Sequence, residues 1–310
     1  MALSMGASHA VAQAYPSKPI TLIVAYPAGG DTDAMARLFA EKLTTRLGQT
    51  VIVDNKPGAS GAIGSAFVSK ATPDGYTLLM APSTFAIAPL VLKGGGGYDV
   101  LQGFTPVIQS AVQPLFVVAG TAVGAKDLKS LVALAKTKDL TYASPGSGSP
   151  MHILGEMFNK SAGIKVGHVP YRGVAPAVND LLGGHVPVTF VTLGPVAPHV
   201  ATGKMTLLAV ADAQRSALAP NVPTLAELGY KDVEVAAWQG MFGPKGLPDA
   251  VVKTLNQHMN EILKMPDVVS KMAVFGALPV GGESAKLEKA SAADHTRFAK
   301  IVKEFGIQAD

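Results

Sequence analysis

Three loops rich in Gly, Ser and Thr carry the groups most able to bind or react: Tyr26-Pro27-Ala28-Gly29-Gly30-Asp31-Thr32-Asp33, Pro82-Ser83-Thr84 and Ser144-Pro145-Gly146-Ser147-Gly148-Ser149. Glycine lets backbone approach a ligand closely, and small hydroxyl side chains form hydrogen bonds without adding charge. The third loop also opens a helix, where free amide N–H groups and the positive dipole end attract carboxylate or phosphate. The pattern predicts an anion site without charged side chains. Chain reversal alone explains any one such turn, but their recurrence in both halves of the chain is more informative.

Other chemistries find less support. A hydrolase needs a nucleophile with a base beside it, and Ser147 with His152 are the candidates. However, G-x-S-x-G is absent, and no known motif places any of the seven histidines. Asp31 and Asp33 could hold a metal together, although capping and loop stabilisation account for both. The histidines lack the i, i+4 pairing of a helical zinc site. Neither nucleotide-loop pattern is present; Gly58, Gly61 and Gly64 recur every third residue, which suits close helix packing. With no cysteine, thiolate catalysis, Cys-ligated zinc, iron–sulfur clusters and disulfides are excluded. No catalytic residue, metal or cofactor is expected.

These loops need elements to position them. Residues 20–26 form a continuous apolar run, as in a parallel strand buried on both faces. Asp31 or Thr32 can cap the next helix, whose Met35, Leu38, Phe39, Leu43 and Leu47 recur at helical spacing before Gly48. Residues 51–53 read as a second strand, 59–70 as a small-residue helix and 76–80 as a third strand. This alternation implies right-handed crossovers and a doubly wound sheet. The glycine run 94–97 reads as a surface loop.

Residues 106–119 carry two apolar stretches, VIQSAV and LFVVA, and lead into a second series of the same type. Asp127 can cap a helix there; strands follow at 141–143, 166–169, 186–191 and 205–210, with helices at 151–161 and 175–182. Residues 233–242 are strand-like, and 248–263, 267–275 and 285–305 are helical. The expected fold class is α/β, with two doubly wound lobes and a central cleft. Lobe 1 takes residues 15–115 plus 236–310 and lobe 2 takes 116–235, with crossings near 112–120 and 232–240.

Composition agrees with a folded, ligand-binding chain. Of 310 residues, 48% are hydrophobic and 15% charged, too apolar for disorder and enough for two cores. The 26 basic and 22 acidic side chains leave +4 without a long run of either sign, so no nucleic-acid footprint is visible, while anionic small molecules are favoured. No apolar run reaches membrane-spanning length. Residues 1–14 end in Ala12-Gln13-Ala14 and read as a signal-peptide remnant with an A-x-A cleavage site; the alternative is a disordered tail on a cytosolic protein.

The segments Tyr15-Pro16-Ser17-Lys18-Pro19-Ile20, Pro27-Ala28-Gly29-Gly30-Asp31-Thr32-Asp33 and Val53-Asp54-Asn55-Lys56-Pro57-Gly58 resemble the Bug/TctC family of extracytoplasmic solute receptors. Pro73-Asp74-Gly75-Tyr76, His168-Val169-Pro170-Tyr171-Arg172-Gly173 and Val222-Pro223-Thr224-Leu225 extend the match in family order. The resemblance implies a type II periplasmic binding protein-like fold. Its lobes would close on a small organic carboxylate, without turnover, and hand it to the membrane permease of a tripartite tricarboxylate transporter. A monomer in the periplasm is implied, and a sensory module with a signalling partner is the rival use of the same fold.

Carried onto this chain, the resemblance places ligand contacts at Tyr26, Ala28, Gly30, Ser83 and Thr84 in one lobe. Ser144, Ser147, Gly148, Ser149 and His152 form the anion-binding helix start, with Tyr171 and Gly173 on the opposite wall. Tyr171 can equally be a packed aromatic. Thr192 stands where many relatives carry an aspartate able to anchor an amine or hydroxyl, which shifts the expectation towards a dicarboxylate or an aromatic carboxylate.

Overall fold

The computed structural model describes residues 15–308, so the signal-peptide expectation for residues 1–14 lies outside the described residues. The first series comprises β1 (Ile20–Val24), α1 (Asp31–Leu47), β2 (Val51–Asn55), α2 (Ala62–Ser69), β3 (Thr77–Pro82) and α3 (Thr84–Val91). A long strand, β4 (Phe104–Gly120), leads to the second series. This contains α4 (Leu128–Ala135), β5 (Leu140–Ser144), α5 (Pro150–Ala162), β6 (Val166–Pro170), α6 (Val174–Leu182), β7 (Val188–Thr192), α7 (Ala197–Ala201) and β8 (Met205–Val210). The chain ends with β9 (Ala236–Pro244), α8 (Asp249–Ile262), α9 (Pro266–Val274), β10 (Leu278–Pro279) and α10 (Ser284–Phe305).

Strand order shows the repeated plan. One half runs β2-β1-β3-β9-β4, with β1 parallel to β2 and β3 and with β9 antiparallel to β3 and β4. The other runs β6-β5-β7-β4-β8, with β5 parallel to β6 and β7 and with β4 antiparallel to β7 and β8. The two apolar stretches expected over 106–119 are one 17-residue strand that serves both halves. It stays continuous because almost every residue has a partner: Phe104 to Pro114 bond β9, and Leu115 onward bonds β7 and β8.

Each sheet is covered on both faces, which is why its central strands are apolar throughout. In the first half Leu22 and Val24 pack with Met35 and Phe39 of α1 and Leu255 of α8, while Ile23 and Leu79 face Phe85, Phe242 and Leu287. Phe85 stacks on Phe242 at 4.7 Å between ring centroids, a geometry worth about 1 kcal/mol beyond burial. In the second half Tyr142, Leu154 and Phe190 fill one face, and Phe116, Val178 and Val191 the other. The last helix joins both: Leu287 packs in the first half, Phe298 and Val302 in the second.

One local expectation changes, and the glycine run keeps its place in a surface turn. Helices α3 and α7 lie where no helix was expected, in segments whose Pro89 and Pro198 obscure helical signals. Glycines 94–97 form a tight turn with every φ between 70 and 84°, a left-handed run open only to glycine at low cost.

Candidate functional site

Strands β1, β3, β5 and β6 each end in a loop that starts a helix, and the first turns of α1, α3, α5 and α6 converge. Asp31 and Thr32, Thr84, Pro150 and Met151, and Val174 and Ala175 line one cavity of about 320 Å³. Every helix start brings amides its own helix cannot use and the positive end of its dipole. Four aimed at one hollow favour a negatively charged occupant. Its polar lining includes Gln113 of β4, Gln239 of β9 and Thr192 at the end of β7, each at most 3% exposed.

Tyr26, Ala28, Gly30, Ser83, Thr84, Ser147, Ser149, Gly173 and Thr192 all line the cavity. Ser144, Gly148, His152 and Tyr171 do not belong to that lining. Tyr171 donates to Asp180 Oδ2 at 2.6 Å and packs against the second-half core, so its ring supports α6 instead of forming a wall. Burial, with the Asp180 carboxylate, pushes its phenol up to about 12.

Ser144, Gly148 and His152 shape the loop from behind. Ser144 Oγ meets His168 Nε2 at 2.6 Å and accepts from the Gly146 amide. His152 Nδ1 accepts from the Gly148 amide at 3.1 Å, and its ring stacks on His168 at 3.7 Å. Burial, with His168 adding to it, lowers His152 to about 3, so it is a neutral acceptor and not a cation for a ligand. Ser149 Oγ caps α5 by accepting from the His152 amide. Gly148 has φ +74°, and a Cβ there would sit 2.4 Å from Val91 Cγ2 of α3. Ser60 Oγ donates to Ser147 O at 3.2 Å, joining the first-half turn after β2 to the second-half loop.

The first-half loop is held differently. Asp33 Oδ2 accepts from the Gly29 amide at 2.9 Å and from Arg37 Nε at 3.1 Å, while Asn55 Nδ2 donates to Asp33 Oδ1 and to Tyr26 O. Burial opposes the charge, but donors from Arg37, Gly29 and Asn55 together hold this carboxyl below its ordinary value. Neither Asp31 nor Thr32 caps α1; Gly30 is the N-cap and no side chain bonds there. Asp31 instead accepts from Thr192 Oγ1 at 2.9 Å and from Gln113 Nε2 at 3.5 Å. Burial raises its carboxyl above the ordinary value against those two donors. Thus Asp31 and Asp33 point to different partners, and among the described residues no cluster of His, Asp and Glu could hold a metal.

The sequence reading missed Asp31, Ser60, Gln113, Arg172 and Gln239 as lining residues. The site is therefore not free of charge: Asp31 and the exposed Arg172 both line it. Two signals were available. Gln113 and Gln239 interrupt strongly apolar strands, and Arg172 lies inside the stretch from His168 to Gly173 already singled out.

The model of the tripartite tricarboxylate transporter family receptor matches residues 35–307. Protein BugT of Bordetella pertussis is 37% identical over 298 residues, covering 95% of this chain and 91% of its own. Rpa4515 of R. palustris, solved with adipate, superposes with a TM-score of 0.89 at 31% identity, covering 95% of this chain and 99% of its own. MatC from Rhodopseudomonas palustris, solved with bound malate, gives 0.84 at 27% identity, covering 93% and 100%.

Proposed function

The chain belongs to the tripartite tricarboxylate transporter receptor family, and on that premise we propose that it is a periplasmic solute receptor delivering a small organic carboxylate to a transporter's membrane subunits. The ligand class is a dicarboxylate or an aromatic carboxylate, bound without chemical turnover by a monomer. The observation that carries this reading is the convergence of four helix N-termini on one cavity. Adipate and malate, the molecules solved with two similar proteins, are both dicarboxylates. No helix among the described residues is long and apolar enough to cross a membrane.

In the proposed mechanism, lobe 1 comprises residues 15–115 with 236–310 and lobe 2 residues 116–235, and they close on the bound anion. The ligand carboxylate accepts from helix-start amides near Ser147, Ser149 and Gly173 and faces the Arg172 guanidinium. Tyr26, Ala28, Gly30, Ser83 and Thr84 cover it from the first lobe. Charge-assisted hydrogen bonds in a cleft that excludes water are stronger than neutral ones. Closure is favoured only by the ligand's preference for the closed state. A Ser147 hydrolase is disfavoured because the suspected base, His152, already uses Nδ1 as the acceptor for Gly148.

Thermal-shift screening against mono-, di- and aromatic carboxylates, followed by calorimetry, tests this reading. A ligand at 100-fold excess over Kd stabilises by about 2.7 kcal/mol, an easily measured rise in Tm. Absence of any carboxylate effect, together with ester turnover lost in Ser147→Ala, would overturn it. Co-purification with membrane subunits, as opposed to a signalling partner, separates transport from sensing.

A further inference from the structure

The donors around Asp31 all run in one direction. Gln113 Nε2 faces two acceptors, Asp31 Oδ2 at 3.5 Å and Phe275 O at 3.3 Å, which sets the orientation of its amide. Its Oε1 therefore accepts from Gln239 Nε2 at 3.0 Å. That leaves Gln239 Oε1 buried without a donor. Turning the Gln239 amide would oppose two carbonyl oxygens, and turning both amides would press the Gln113 carbonyl on the Asp31 carboxylate. Thr192 also donates to Asp31 Oδ2, and among the described residues no donor reaches Oδ1. Both Asp31 and Gln239 line the cavity. A buried acceptor without a donor is costly, so this side of the cleft is short of donors.

We infer that the cleft selects carboxylates that also carry a hydroxyl or ammonium group, which Asp31 receives on the first lobe while the ligand carboxylate faces Arg172 and the starts of α5 and α6 on the second. The inference rests on the carboxylate-receptor reading and narrows it. Thr192 does not leave this wall without a carboxylate: its hydroxyl orients Asp31, which supplies from α1 the acceptor expected at position 192. The raised pKa of Asp31, caused by burial, agrees with a carboxylate that has few donors. An unsubstituted diacid would set a second anion against Asp31, whereas an ammonium forms a charge-assisted pair there.

Calorimetry at neutral pH on matched series decides the matter: succinate, malate and aspartate, and adipate with its 2-hydroxy and 2-amino derivatives. The expected result is at least about tenfold tighter binding of a substituted member than of its parent, falling to within about threefold in Asp31→Asn. The parent diacid should bind Asp31→Asn as well as, or better than, the unaltered protein. Equal or tighter binding of the parents by the unaltered protein overturns the inference while leaving the receptor reading intact. So does a substituent preference that survives Asp31→Asn. If no carboxylate of any kind binds, the receptor reading itself falls, and this inference with it.

Discussion

The loop after β1 and the loop after β5 occupy matching places in the two lobes, yet opposite chemistry holds them. An ionised carboxylate, Asp33, ties down the first through Gly29, Arg37 and Asn55. A hydroxyl and two stacked imidazoles tie down the second: Ser144, His168 and a neutral His152. The cavity walls follow the same division. The first lobe contributes a carboxylate, Asp31, and the second a guanidinium, Arg172. Two repeats of one architecture thus make an asymmetric cleft, and an asymmetric ligand would bind in one orientation. The shared ends of parallel strands supply the amides, and the side chains between them supply direction.

Arg172→Ala should weaken this division most. The second lobe then keeps only helix-start amides, and carboxylate affinity measured by calorimetry should fall about tenfold or more, with Arg172→Lys recovering part of it. Since Arg172 is exposed, Tm should barely change. An unchanged Kd would place the ligand carboxylate elsewhere.

Next in size is Gly148→Ala. A left-handed φ costs a non-glycine residue roughly 1–2 kcal/mol, and the new methyl would press on Val91. The expected outcome is a lower Tm with weaker binding, because opening the cleft is one way to relieve the contact. Gly124→Ala has open space at a similar φ of +77° and serves as the control for backbone strain alone.

Acid should then distinguish the two lobes. Below its usual value of 6.5 the unfolded chain protonates His152 while the folded one resists until about 3, so stability falls with pH across that window. The slope contributed is at most about 1.4 kcal/mol per pH unit. His152→Asn, which keeps an acceptor for Gly148, should flatten the Tm profile there. Asp33 acts lower: its stabilisation is present above the ordinary carboxylate value and is lost as pH falls through its depressed folded value.

The smallest effect has the opposite sign. Because burial raises the Asp31 pKa in the folded state, its charged form costs stability, which is lost as pH rises through the folded value. Asp31→Asn should therefore raise the Tm of the ligand-free protein at neutral pH, by about 2 °C. A lower Tm would mean that the carboxylate stabilises the fold instead of serving a ligand.

Much of this architecture could be read from residue order. The apolar runs at β1, β3 and β8, the Asp127 cap of α4 and the alternation of strand with helix follow from local propensity and periodicity. The loops lining the cavity were legible too, since glycine and hydroxyl residues recur at strand ends in both halves of the chain. What residue order could not show is which loop side chains face inward. Asp31 and Asp33 lie two residues apart in the same helix turn, yet one binds its own loop and the other reaches Thr192, 161 positions away. Gln113 and Gln239 meet only because β4 and β9 pair. Local signals depend on neighbours in the chain and so survive in the sequence. The polarity of the cleft depends on contacts between distant segments, and only the folded lobes bring those groups within hydrogen-bond reach.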